Sequence, residues 1–276
     1  MLSVSFPRKT MHVLCRVILV VLLALISSSG GASAATLEDL SVAVAYLREG
    51  DQFGTGFFVS STAPYLVTAS HVAAFLKAGS KITFRAKGDT PVSVSLTELT
   101  AGVSQLQWQL HPEADVAVLR LTLTAQTAPL MQGRFLGLEM IDSAETAPVR
   151  ERTVTVMGFP LRLGTTGRFS PITSDGKPAS GLLRILRADN KKEATFFLLD
   201  KPSIGGFSGG PVYLLSAPYA SGGALVFTDV SAPPKVVGLV HGTISDNTGG
   251  KLAAIVPSRF IHEMIASADK IPVTQK

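Results

Sequence analysis

The stretch GGFSGGPVY (205–213) sets one serine, Ser208, among four glycines. A serine hydroxyl is a poor nucleophile unless a base takes its proton and donors receive the negative charge that develops on the attacked carbonyl. Candidate bases are few. Of the five histidines, His12 lies in the N-terminal leader described below, which leaves His71, His111, His241 and His262. His71 sits in YLVTASHVAAFL (65–76), where an apolar strand gives way to a helical turn, so its ring can face a cleft. Asp115 opens the apolar run DVAVLRL (115–121) after the polar turn HPEA (111–114), which predicts a buried carboxylate. Burying a carboxylate is costly unless it is hydrogen-bonded, and an imidazole N–H is its natural partner. Each residue alone has a plainer reading: a turn serine, a strand-end histidine, a capping aspartate. Together they are candidates for the nucleophile, base and orienting carboxylate that acyl transfer needs. His111 reads as a solvated turn residue, His262 as a surface or packing residue of the final helix, and Lys191 and Lys192 as a solvated hairpin tip.

Such groups need rigid elements to hold them, and the periodicity predicts an all-β body. Short runs rich in β-branched and aromatic residues, separated by turn signals, read as strands at 41–47, 54–60, 65–69, 81–87, 92–99 and 115–121. After the polar stretch 142–152 a second series follows at 153–159, 181–188, 194–200, 211–215, 236–242 and 252–257. Only SRFIHEMIASA (258–268) reads as a substantial helix. The natural architecture is two six-stranded antiparallel β-barrel lobes, 35–146 and 147–276, with a cleft between them and a C-terminal helix. The chain shows no internal repeat, low-complexity segment or added recognition domain.

The N-terminus changes how composition is read. Arg8, Lys9 and Arg16 precede the apolar run 17–26, and small residues follow up to Ala32-Ser33-Ala34. A basic stretch, a short apolar run and an Ala-x-Ala site are the marks of a secretory signal peptide over 1–34, cleaved after Ala34. The run is too short for a confident membrane span. Removing the leader's three basic residues from the total of 25 leaves 22 against 20 acidic ones, so the apparent +5 charge falls to +2. A basic surface suited to nucleic acid or anionic membranes is therefore not indicated. The single cysteine, Cys15, leaves with the leader, so the expected product has no disulfide and relies on its core. These features predict export to the periplasm or the extracellular space, with no membrane attachment after cleavage. Oligomeric state is not legible. Nothing in the sequence indicates a metal site or a cofactor.

The blocks TASH (68–71), HPEADVAVLRL (111–121) and GFSGGPV (206–212) resemble those of the chymotrypsin-like (trypsin-like) serine peptidases, in that family's order of His, Asp and Ser. The separations are 44 and 93 residues, against about 45 and about 93 in the family pattern. GTGFFVS (54–60), VTVMGFP (154–160), VVGLVHGTIS (236–245) and the terminal helix extend the resemblance over most of the chain. It implies a serine endopeptidase acting on polypeptides through an acyl-enzyme, with His71, Asp115 and Ser208 as catalytic triad. It also implies an oxyanion hole from the backbone N–H groups of Gly206 and Ser208, and a substrate-edge strand carrying His241, Gly242 and Thr243.

Departures from the family pattern narrow these expectations. Phe207 stands where many digestive members have an aspartate that pairs with a new N-terminus, so their zymogen switch is not expected and apolar packing would hold the loop. Pro202 stands where trypsin-type enzymes bind Lys or Arg, so a small or apolar P1 residue is the first expectation. Gly242 and Thr243 read as leaving the pocket rim uncluttered. His241 could hydrogen-bond Asp115, border the pocket and favour acidic P1 residues, or simply pack within its strand. Competing functions are a catalytically silent peptide- or protein-binding member of the fold, an esterase through the Gly-x-Ser-x-Gly pattern, and a structural β-protein of the envelope. The esterase reading needs a helix after Ser208, where the sequence continues as GPVYLL.

Overall fold

The fold is seen in a computed structural model that describes residues 35–187, 189–229 and 232–270, so the expected leader over 1–34 lies outside it. β1 (Val44–Glu49) and β2 (Gln52–Ser60) form a hairpin whose tight turn places Gly50 at φ +55°. Hairpin turns of this kind need positive φ, which glycine adopts without steric cost. β3 (Pro64–Thr68), β4 (Lys81–Arg85), β5 (Pro91–Ser95), β6 (Gln109–Leu110) and β7 (Ala117–Arg120) complete a path in the order β5-β4-β1-β2-β3-β7-β6. β8 (Leu136–Gly137) adds to β2 as the one parallel pair in this sheet. The chain beyond β5 returns to the chain beyond β7 through a bridge between Thr100 and Thr122, so the six longer strands curl towards closure.

The second sheet runs β10 (Ile172–Gly176), β9 (Val154–Gly158), β13 (Pro211–Leu214), β16 (Lys235–Ser245), β17 (Lys251–Pro257), β12 (Glu193–Leu199), β11 (Leu183–Leu186). Beyond β10 the chain pairs back onto β12, with Ala179 N–H donating to Leu198 O at 2.7 Å and Asp200 N–H to Lys177 O at 3.0 Å. Six strands thereby make a ring, and β14 (Tyr219–Ser221) with β15 (Ala224–Val226) forms a separate hairpin. The all-β, mainly antiparallel fold with a single longer helix is as expected.

Several boundaries differ, for local reasons. The sixth ring strand is β10, whose ITSDG carries no apolar run, whereas the run expected at 181–188 shortens to β11 and extends outside the ring. The strand expected at 41–47 begins only at Val44, because Thr36 and Asp39 form a capping box over the helical turn Leu37–Ser41. The strand expected at 92–99 stops at Ser95, because Ser95 and Glu98 cap a second turn, Leu96–Leu99, in the same way.

The larger of two buried apolar clusters joins Phe57, Phe58 and Phe84 of the first sheet to Phe159, Phe196 and Leu239 of the second. The C-terminal helix Arg259–Ala268 buries Phe260, Ile261, Met264 and Ile265 against it. Asp269, just beyond that helix, accepts hydrogen bonds from Ser61, Thr62 and Tyr65 next to and within β3. The end of the second half of the chain is thus fastened to the first sheet.

Candidate active site

Asp115 is fully buried immediately before β7. The turn that delivers it is organised by His111, whose Nδ1 accepts the N–H groups of Glu113 and Ala114 at 3.1 and 3.0 Å. The His111 ring packs on Phe260, 4.8 Å between centroids, and its Nε2 lies 3.5 Å from Glu263. The expectation of a solvated His111 is therefore corrected: its side chain is 10% exposed and shapes the turn from within.

Around the Asp115 carboxylate five donors converge. Oδ2 faces His71 Nδ1 at 2.7 Å and His241 Nδ1 at 2.5 Å. Oδ1 accepts from Ser70 Oγ at 2.5 Å, His71 N–H at 3.1 Å and Arg187 Nη2 at 2.8 Å. Burial pushes the carboxyl up, but hydrogen bonds from the two histidines and the electrostatic attraction to their rings outweigh it and hold Asp115 well below the ordinary carboxylate range. An ionised carboxylate only accepts, so Nδ1 of each ring carries the proton, which leaves the lone pair of His71 on Nε2. The helical turn Ser70–Ala73 lets one short segment supply three of the five donors.

His241 reaches Asp115 because of a bulge. The β16–β17 register jumps from Val240–Ile255 to Gly242–Ala254, which leaves His241 as the extra residue. An extra residue re-aims its side chain, and the ring points into the protein, 5% exposed, edge-on to His71 at 5.4 Å. Of the roles open to His241 in the sequence, the structure gives it the bond to Asp115. Arg187 was missed by the sequence reading. It directly follows β11, is 7% exposed, and bonds Asp189 in addition to Asp115 and Ser70.

Ser208 lies in the loop 205–210, and Ser208 Oγ donates to His241 O at 3.1 Å. Among the described residues no hydrogen bond joins it to His71, so the structure brings His71 and Asp115 into direct contact and leaves Ser208 beside them, bonded to the same strand. The loop is gripped from outside. Leu161 N–H donates to Gly205 O at 2.9 Å, and Thr55 Oγ1 donates to Gly206 O at 2.7 Å while accepting Phe159 N–H at 3.1 Å. Thr55 N–H also donates to Ser208 O at 2.9 Å. The N–H groups of Gly206 and Ser208 have no protein acceptor among the described residues. Gly206 has φ +109°, and a Cβ there would stand 2.3 Å from Phe159 O, so no other residue fits. Phe207 is buried in an apolar cluster with Val156, Val212 and Val240.

Thr243 makes two hydrogen bonds to Ser203. Its Oγ1 donates to Ser203 O at 2.7 Å and accepts Ser203 N–H at 2.9 Å, tying β16 across to the segment before the 205–210 loop. Gly242 is partly exposed and has no atom within 4 Å of where a Cβ would stand. The ligand atoms of His71, Asp115 and His241 lie within 4.8 Å of one another, a spacing a metal ion could use. The two histidine Nδ1 atoms lie at hydrogen-bond distance of the Asp115 carboxylate, and the Arg187 cation shares the carboxylate.

The family model for the trypsin-like peptidase domain matches residues 54–217. Among solved structures, the chain is similar to the Rv3671c protease in its inactive form: 18% identity, 84% of this chain and 91% of that chain covered, TM-score 0.49. A mutant of Rv3671c from M. tuberculosis H37Rv, also an inactive form, gives 17% identity over 89% of this chain and 96% of that one, TM-score 0.49. Deg5 gives 16% identity over 82% of this chain and 89% of that one, with a TM-score of 0.51, a likeness of fold. No curated protein matches the chain.

Thr55 is the residue on which the loop hangs. Thr55→Val keeps the shape but leaves Gly206 O and Phe159 N–H buried without partners, which is expected to cost about 1–3 kcal/mol. Urea unfolding checks this, with Thr55→Ser losing less. A Val variant as stable as the parent would refute the assignment.

Proposed function

Starting from the fact that the chain belongs to the trypsin-like peptidase domain family, whose substrates are polypeptides, we propose that it is a serine endopeptidase working through His71, Asp115 and Ser208. The observation that carries this reading is the 2.7 Å His71–Asp115 pair beside a loop that leaves the Gly206 and Ser208 N–H groups without protein acceptors. Ser208 Oγ turns from His241 O towards His71 Nε2 and attacks the peptide carbonyl as the imidazole takes its proton. Such catalytic bonds are often loose without substrate and tighten on binding. The negative oxygen is received by the two N–H groups; losing one such donor costs about 2.7–4 kcal/mol in a related chemistry. His71 then returns the proton to the leaving amine, and water, deprotonated by the same ring, cleaves the acyl-enzyme. Asp115 keeps the ring's tautomer and stabilises the imidazolium.

The Ser208–His241 O bond favours a second reading, in which the site binds polypeptides without cutting them. A fluorophosphonate separates the two: it is expected to label the protein, and Ser208→Ala to abolish both labelling and peptide hydrolysis. A parent protein that neither reacts nor cleaves would leave only the binding reading.

The primary pocket is proposed to be shallow, with Thr243 bridging to Ser203 at its mouth, so a small P1 residue is preferred. Thr243→Gly is expected to raise kcat/KM for Leu or Phe relative to Ala at P1 by about tenfold. Unchanged P1 profiles would remove Thr243 from specificity.

Export belongs to the same proposal and rests on the leader over 1–34 alone. N-terminal sequencing of the mature protein is expected to begin at Ala35, with activity needing no further cleavage. A start well inside β1 in the active form would contradict it.

A further inference from the structure

Asp115 carries more than two histidines. Arg187 is buried and meets the carboxylate oxygen that the two imidazoles leave, and its Nη2 contacts Asp115 Oδ1, Ser70 Oγ and Asp189 at 2.8, 2.9 and 2.6 Å. Its Nε holds the other Asp189 oxygen at 2.9 Å. A buried guanidinium stays charged because it is matched by carboxylates, and a planar fork suits bidentate pairing. The Arg187 backbone is closed into its turn by bonds with Lys192 O and Lys191 N–H, so the side chain is delivered from a fixed base. Arg187 directly follows β11, outside the ring of six strands.

We propose that Arg187 is a positioning residue that sets the proton affinity of His71 by sharing the charge of Asp115. This rests on the peptidase reading of the site for its consequence, but its mechanism is electrostatic. A carboxylate that faces two imidazoles on Oδ2 would hold an imidazolium strongly. A cation on Oδ1 opposes that second positive charge, so the base stays unprotonated to lower pH. Ser70, between the two, fixes which oxygen each partner meets. Among the described residues, the charged and titratable groups gathered on Asp115 are His71, His241 of β16 and Arg187, with Asp189 joined through Arg187. On the far side of Arg187 a cavity of about 300 Å³ is bordered by His111, Glu113, Lys192 and Glu193, so replacing the guanidinium leaves room for water rather than a clash.

The test reads the imidazole directly. In the folded protein, the His71 resonances are followed by NMR against pH, assigned by their loss in His71→Gln, and the acidic limb of kcat/KM is measured in parallel. Arg187→Met is expected to move the His71 midpoint, and the acidic limb with it, up by about one pH unit. Arg187→Lys, which keeps the charge, is expected to return most of that shift. Asp189→Asn removes a negative charge and is expected to move the midpoint down, so the sign alone tests the idea even if Arg187→Met fails to fold. A midpoint that does not move in any folded variant overturns the proposal, whatever the change in thermal stability. If the parent protein does not react with a fluorophosphonate, the peptidase reading fails while the ring titration still decides the role of Arg187.

Discussion

A carboxylate removed from water costs several kcal/mol unless its lone pairs are occupied, and the rest of the site is arranged around meeting that demand at Asp115. Its five donors come from three separate parts of the chain: the Ser70–His71 turn, the bulge in β16 and the turn after β11. Each segment is constrained in return. The turn after β3 must start at Ser70, β16 must break register at His241, and the segment beyond β11 must fold back towards the first sheet. The two sheets are therefore held together at their junction by a charge as well as by the apolar cluster that runs between them.

The loop around Ser208 obeys a different constraint, the orientation of its peptides. Carbonyl and N–H of a trans peptide point in opposite directions. Fixing Gly205 O on Leu161 N–H therefore turns Gly206 N–H the other way. The grip itself is made by backbone in an unfavourable conformation: Leu161 and Arg162 have φ of +53° and +63°. Such strain persists when surroundings over-determine it. Here Arg162 stacks over the Phe53 ring at 4.7 Å and donates to Asp51 O at 2.7 Å. Thr55 supplies the second hold from the first sheet. Buried Phe207 supplies an apolar anchor where related digestive enzymes are expected to use an ion pair.

Thr243 and His241 lie on the same strand, one on each side of Gly242, and take opposite tasks. The bulge sends the His241 ring inward to the carboxylate, and Thr243 turns across to Ser203. One irregularity in β16 thus separates the strand's contribution to the charge cluster from its tie to Ser203.

By itself the sequence determined the all-β class, most strand positions, the terminal helix, the loop around Ser208 and the pairing of His71 with Asp115. These are carried by signals spanning a few residues: alternation of apolar side chains, glycines that allow positive φ, and an apolar strand that buries the acid at its start. The capping boxes at Thr36–Asp39 and Ser95–Glu98 were equally local and legible, though outweighed by the β-like runs beside them. Only the tertiary structure decided what meets at long range. Thr55 reaches Gly206 across 151 residues, His241 reaches Asp115 across 126, and Arg187 reaches it across 72. None of these partners is marked by its neighbours in sequence, because each contact depends on how two sheets close, where one register slips and which turn folds back. β10, whose composition does not announce a strand, belongs to the ring for the same reason: its place is fixed by the partners that flank it rather than by its own residues.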